Sequence, residues 1–334
     1  MLGIINATNE LDSFQHLTTQ RTLSALPFAG RYRIIDFMLS NMVNSGITSV
    51  AIFTGHGIRS LMDHIGCGKQ WDLDRKRDGL FVFTPDDKYK EEKFGSFAHF
   101  ERNITFFLRS RQKYVVITNC NIIGTMNFQN ILEKHIETKA DITEVFHNGK
   151  SLQTYILEKN LLLSLFEKYK DQGHYSLLDV VREQRHSYQI SMYEHTGYMA
   201  IIDSLESYYE HSMDLLESSA WKQLFTKNEP IFTKVKDEPP TRYKEDAKVA
   251  NSMIANGCMI EGEVENSIIF RSVKIGKGSV IRNSIIMQKT QIEENCVLDG
   301  VIIDKDVKIE SGVKLTGTRE TPYVVEKGTV QRGR

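Results

Sequence analysis

The chain has 334 residues, 40% hydrophobic and 25% charged, with a formal net charge of -1, values ordinary for a globular protein of one large or two smaller domains. Near-neutral charge gives no electrostatic case for binding nucleic acid or a membrane surface. Cys67, Cys120, Cys258 and Cys296 form no CxxC pair, which argues against a disulfide framework or zinc site and for a reducing cytoplasm; no apolar run reaches the ~20 residues of a membrane span, and Met1–Ile5 is too short for a secretory leader.

In chain order, strands are predicted at Gly3–Asn6, Ser49–Thr54, Leu80–Phe83, Tyr114–Thr118 and Ile142–Phe146, with helices at Ile58–His64, Phe94–Arg109 and Asn127–Thr138. This alternation predicts a mostly parallel sheet covered by helices, with ligands at the carboxyl ends of the strands. Between the first two strands, Pro27 and Gly30 mark a turn in which Arg31 and Arg33 flank Tyr32. A helical apolar face follows at Ile34, Ile35, Phe37, Met38, Met42 and Val43, stopped at Asn44-Ser45-Gly46 with glycine as the left-handed cap.

Near residue 250 the period changes. Ile254 and Ile260; Ile269, Ile275 and Ile281; Ile286, Ile292 and Leu298; and Ile303, Ile309 and Leu315 recur in steps of six, with a slip between blocks. A hexapeptide repeat with turn residues between is the pattern of a parallel β-helix, in which one residue in each step points into a triangular prism; an antiparallel sandwich would not hold that phase. The expected division is an α/β domain over 1–236, a linker over 237–250 marked by Pro239-Pro240 and a polar run, and the β-helix over 251–334. Ile268, Ile285 and Ile302 each precede an inward isoleucine. They must therefore point out of the prism, and part of this set is expected to line a subunit interface, against the alternative that the outward residues pack under the linker within the same chain.

Specific segments add to these patterns. Leu26–Ile47 reads L-P-F-A-G-R-Y-R-I-I-D-F-M-L-S-N-M-V-N-S-G-I, and His64, Gly66, Gly68 and Trp71 follow it. Gly197-Tyr198, Met213-Asp214-Leu215-Leu216, Asn251–Cys258, Asn283–Met287 and Asp304-Lys305 continue the series. Over nearly its whole length the chain resembles the sugar-1-phosphate nucleotidyltransferases, and within them the ADP-glucose pyrophosphorylases (glucose-1-phosphate adenylyltransferases) of bacterial glycogen synthesis. The resemblance implies a mostly parallel α/β nucleotidyltransferase-like domain followed by a left-handed parallel β-helix. It also implies transfer of a nucleotidyl group to a sugar phosphate with release of pyrophosphate. That reaction uses backbone N–H groups around the triphosphate and a carboxylate-held Mg²⁺.

The departures fall on that chemistry. Where the family has A-G-G-x-G-T-R-L, this chain has Asn6-Ala7-Thr8-Asn9-Glu10-Leu11-Asp12, without glycine and with acids that repel a triphosphate by ~1 kcal/mol each. The family's metal-binding aspartates correspond to Cys120 and Ile201, and a further acid to Ala98. Asp203 lies two strand positions beyond Ile201, displaced by ~7 Å. The lysine of the family's K-P-A-V-P-F is absent, with Arg21 nearby, and after Asn148-Gly149 the family's hairpin and sugar-phosphate lysine are missing. Arg21, Arg31 and Arg33 are candidates for substrate or effector binding, against a structural ion pair of Arg31 or Arg33 with Asp36 or another acid. His64 is expected to pack around Trp71, and Cys120 to be an inert thiol.

Such losses match one branch of the family, the GlgD-type subunits of Gram-positive bacteria, which accompany a catalytic GlgC-type partner. The resemblance thus implies a non-catalytic or weakly catalytic cytoplasmic subunit in a heterotetramer, or a homo-oligomer when alone. No cofactor is expected on this chain, Mg²⁺ being in the catalytic partner, and neither nucleic acid nor membrane is a partner. An active nucleotidyltransferase with a rearranged metal site using Asp203 is the alternative. A β-helix acyltransferase is set aside because residues 250–334 contain no histidine.

Overall fold

Alternate apolar segments of the first half assemble into one sheet because both of its faces are covered. In the computed structural model, which describes residues 1–8, 14–84, 96–172 and 175–333, the sheet has seven strands. Their order is Ile190–Glu194, Ile142–His147, Lys150–Glu158, Tyr114–Asn119, Leu2–Ala7, Ser49–Thr54, Gly79–Phe83. Only Lys150–Glu158 runs antiparallel to its neighbours. The expected strands are thus present within a residue or two of their limits. Ile5, Val50 and Val116 point into one core, Leu2, Ile4 and Val115 into the other.

The helix Ile34–Asn44 lies against the first core, and a Cβ on Gly3 would approach the Met42 sulfur to 2.6 Å. Any larger residue there would force the Met42 side chain to move. The helix ends as expected, with Gly46 at φ 74°. The helix expected over Phe94–Arg109 is instead two short ones, Phe97–Glu101 and Ile104–Arg109; Phe94 lies outside the described residues. The Asn103 amide donates to the His99 carbonyl at 3.2 Å, drawing that acceptor away from a continuous helix. The abrupt passage at Asn148-Gly149 is a two-residue hairpin turn with φ of 50° and 71°, the conformation Asn-Gly favours between paired strands.

The second half is a β-helix of three parallel sheets. Ile260, Ile275, Ile292 and Ile309 line one wall of the prism, Val264, Ile281, Leu298 and Leu315 the next, and Ile269, Ile286, Ile303 and Val325 the third. Arg242–Tyr243 and Lys248–Ala250 already pair with the coil above. The first coil therefore starts inside the segment expected to be a linker.

The expectation for Ile268, Ile285 and Ile302 is overturned. They stack in register and point out of the prism, yet each is 0% exposed within this one chain. They pack with Phe14, Leu17, Phe28 and Tyr208 of the sheet domain. Burial worth about 1.5–3 kcal/mol for each such side chain is used inside the molecule to seat the β-helix on the sheet, so these residues line no subunit interface.

Candidate functional site

Two places gather the residues singled out from the sequence. The first is the carboxyl end of the central strands. Cys120 follows Tyr114–Asn119, and its N–H donates to the Asn6 carbonyl at 2.9 Å. Ile201 pairs with Ile122 and packs on the same core cluster as Cys120. The fold therefore brings these two together. Ala98 is buried on a helix that packs into the core on the opposite face.

Cys120 is fully buried, and burial pushes its thiol up to about 12; it is neutral and unreactive at physiological pH. Beside it runs a neutral chain of hydrogen bonds that ends at the exposed Gln153. The Thr8 hydroxyl donates to Asn6 Oδ1 at 2.6 Å, Asn6 Nδ2 donates to Asn119 Oδ1 at 3.1 Å, and Asn119 Nδ2 donates to Gln153 Oε1 at 3.2 Å. Magnesium needs hard, anionic oxygen donors. A protonated thiol, an isoleucine and mutually bonded amides do not fit Mg²⁺. Among the described residues no three His, Cys, Asp or Glu side chains converge to hold a metal ion. Asn9–Asp12 and Gly95 lie outside the described residues.

The second place is a basic crevice of about 150 Å³ between the sheet domain and the β-helix. Arg31, Arg33, Lys234, Lys236 and Arg271 line it against one carboxylate, Asp63. The Arg31 guanidinium lies over the Tyr32 ring, 5.5 Å from its centroid. Arg33 makes no ion pair with Asp36. Its backbone N–H donates to Asp36 Oδ2 at 2.9 Å, and its guanidinium donates to the Ser60 hydroxyl at 2.9 Å and to the Ser60 carbonyl. Burial lowers the Arg33 pKa to about 10, and the Arg21 and Arg271 charges add to that.

Asp36 accepts instead from His64, with Nε2···Oδ1 at 2.6 Å. His64 meets Trp71 edge-on at 6.0 Å, so it does pack around the buried tryptophan. Burial lowers its pKa, against the hydrogen bond to Asp36. Two buried polar atoms of the crevice, Arg271 Nε and Gln288 Oε1, have no hydrogen-bond partner among the described residues.

Arg21 is not in the crevice lining. It is buried and ion-paired with Asp304 of the β-helix, which satisfies its charge and removes it from the candidates for ligand contact. Arg271, Gln288, Lys234 and Lys236 carry no signal in the sequence, because they meet Arg31 and Arg33 only through contacts spanning some 200 positions.

Comparison with known proteins decides the family. Residues 14–154 match the profile described as Nucleotidyl transferase, and residues 239–322 match GlmU-like, C-terminal hexapeptide. The Glycogen biosynthesis protein GlgD of Geobacillus stearothermophilus is 58% identical over 333 residues, covering 99% of this chain and 97% of that protein. The chain belongs to the GlgD family of glycogen biosynthesis proteins. Glycogen biosynthesis protein GlgD of Bacillus subtilis is 51% identical over 332 residues, again 99% of this chain and 97% of the relative. More distantly, the Glucose-1-phosphate adenylyltransferase of Mycoplasma mobile is 31% identical over 323 residues, 84% of each chain. The two profile matches agree with the architecture described above, a nucleotidyltransferase-like sheet domain carrying a left-handed β-helix. Among the described residues of this one, no helix is long and apolar enough to cross a membrane.

Proposed function

We propose that this chain is a non-catalytic subunit of glucose-1-phosphate adenylyltransferase in the cytoplasm. It acts on a GlgC-type catalytic homologue that joins glucose 1-phosphate to ATP, giving ADP-glucose and pyrophosphate for glycogen. The observation that carries this reading is that Cys120 and Ile201, the latter paired with Ile122, fall on one core cluster at the strand ends, beside the neutral Asn6–Asn119–Gln153 chain of amides. Those side chains supply no anionic oxygen for the metal that in-line nucleotidyl transfer requires, which supports the reading. The rest of the two-domain scaffold is intact, which supports a role through assembly, in a heterotetramer or as a homo-oligomer when alone. Mg²⁺ then belongs to the partner, and this chain binds no cofactor.

The basic crevice supports a second part of the reading, that the subunit binds a phosphate-bearing effector. Arg31, Arg33 and Arg271 would hold it, and an anion there would satisfy the Arg271 Nε–H. The alternative, an active enzyme using Asp203, is disfavoured because that residue is exposed beyond the strand end, at the start of the helix Leu205–Asp214.

The deciding experiment assays this chain alone, the catalytic homologue alone and the mixture. Negligible turnover by the first, with a raised rate or altered effector response in the mixture, is the expected result. Robust Mg²⁺-dependent turnover by the pure chain would falsify the non-catalytic reading, and a mixture identical to the homologue alone would remove the regulatory one.

A further inference from the structure

One corner of the β-helix carries a column of residues placed by strand register. Ala250 pairs with Glu265, Glu265 with Arg282, Arg282 with Asp299 and Asp299 with Thr316. The residues that follow, Asn251, Asn266, Asn283, Gly300 and Gly317, therefore stand one above another, about 4.8 Å apart. Asn251, Asn266 and Asn283 have φ of 40°, 46° and 46°, a left-handed conformation that asparagine tolerates better than most residues. Turn geometry thus explains why asparagine stands there. It does not explain what the column faces.

The column forms one wall of a groove of about 630 Å³. The opposite wall is the end of the helix Leu205–Asp214 and the turn after it, with Met213, Asp214, Leu216 and Glu217. Tyr209 anchors the two walls to each other, its hydroxyl donating to the Asn283 carbonyl. Arg319, which also lines the groove, is ion-paired to Glu210 at 2.8 Å.

The amides are only partly used. Asn251 Nδ2 donates to Asn266 Oδ1 at 2.8 Å and Asn283 Nδ2 to Asp299 Oδ1 at 2.8 Å. A primary amide has two donors and two acceptor lone pairs, so each keeps capacity toward the groove. Asp214, Glu217 and Asp299 add acceptors and repel anions, while Met213 and Leu216 offer apolar contact.

We propose that this groove binds a linear oligosaccharide of neutral hexoses. Sugar hydroxyls both donate and accept, and so match a wall of mixed amides and carboxylates. Across the three coils that carry an asparagine the amide repeat is close to the span of one pyranose along an extended chain, so successive sugars meet successive coils, with the acceptor Asp299 on the next. The acidic residues disfavour phosphorylated sugars, which separates this groove from the basic crevice and makes it independent of the function proposed above.

Calorimetric titration of the full chain with maltoheptaose, cellohexaose and glucose tests it. One of the two hexose chains is expected to bind saturably, with glucose weaker by about tenfold or more. Asn283→Gly removes one amide while allowing the positive φ, and Glu217→Ala alters the exposed opposite wall. Each variant should unfold at the unaltered temperature and weaken binding about tenfold. No saturable binding of either hexose chain up to about 10 mM, or binding that both variants leave unchanged, overturns the proposal. If neither chain binds but Asn283→Gly alters assembly with a catalytic homologue, the groove is a protein interface and the proposal also falls.

Discussion

Arg21 of the sheet domain and Asp304 of the β-helix form an ion pair whose side chains are 3% and 1% exposed. Asp304 Oδ1 accepts in addition from the Lys305 N–H at 2.7 Å, and the Arg21 guanidinium also faces the Met287 sulfur. The pair is polar mortar in an apolar seam formed by Leu26, Phe28, Tyr208, Ile285 and Met287. Two charges taken out of water are tolerable only because each satisfies the other.

Asp304→Ala should therefore destabilise the protein by about 3–5 kcal/mol, because it leaves a buried guanidinium without a counter-charge. Replacing both partners with apolar residues, Arg21→Met with Asp304→Leu, should cost much less than either single change. Urea unfolding of the three variants measures this. A double mutant as damaged as the sum of the singles would contradict it.

Ile285→Asp is expected to act on folding rather than on association. The residue is sealed between the β-helix and Tyr208, so a carboxylate there loses its hydration without gaining a partner. A loss of several kcal/mol should appear in unfolding of dilute, monomeric protein. Unaltered stability with a changed oligomer mass would restore these isoleucines as interface residues.

The β-helix was readable because its selection is local: Ile275, Ile292 and Ile309 must each enter the prism, and the six-residue step shows it. Val264 escaped because it comes only four residues after Ile260, in a shorter second coil. The outward isoleucines were readable as outward, but nothing in a periodic pattern says what lies outside. Asn103 hides a helix break because it acts by a side-chain bond to His99. Cys120 and Ile201 stand for family acids only by the resemblance, whereas their closeness follows from the Ile122–Ile201 pairing. Arg271 and Gln288 belong to the crevice only through tertiary contact, and Arg21 was misplaced because its carboxylate partner is 283 positions away.

Restoring acids should not restore catalysis. Cys120→Asp puts a carboxylate where burial already pushes a thiol up to about 12, and Ile201→Asp adds a second beside it. Like charges in a buried site raise each other's pKa, so the pair should destabilise the fold by several kcal/mol. No Mg²⁺-dependent pyrophosphorylase activity should emerge. Mg²⁺-dependent stabilisation of the double variant in thermal unfolding would show instead that the strand ends can still form a metal site.

Arg271→Met should weaken binding of inorganic phosphate to the crevice, since one of its cations is removed. The loss is on the order of 1 to 4 kcal/mol, between the aqueous and near-surface strengths of a single contact. Calorimetry at low and high salt checks it, and the difference between the proteins should shrink as salt rises. Equal phosphate affinity in both proteins would place anion binding elsewhere.

The last prediction concerns Lys305, the neighbour of Asp304. Burial, with Arg33 and Arg21 beside it, pushes the Lys305 ammonium down from 10.5 to about 7. Between these two values the unfolded chain holds a proton that the folded chain does not, so the contribution of Lys305 to stability rises with pH across that window. Below about 7 the folded state carries the whole penalty of a charged, half-buried lysine, and near 10.5 the penalty has vanished. Lys305→Met, which keeps the stem without the charge, should therefore exceed the parent in stability most at about pH 6.5, and the gap should narrow by about pH 9.5. Other titrating groups cancel in the difference between the two proteins. Urea unfolding of both at the two pH values measures the gap. A gap that stays constant would show that Lys305 keeps its ordinary affinity for the proton, and a gap that widens with pH would reverse the sign of its coupling to Arg33.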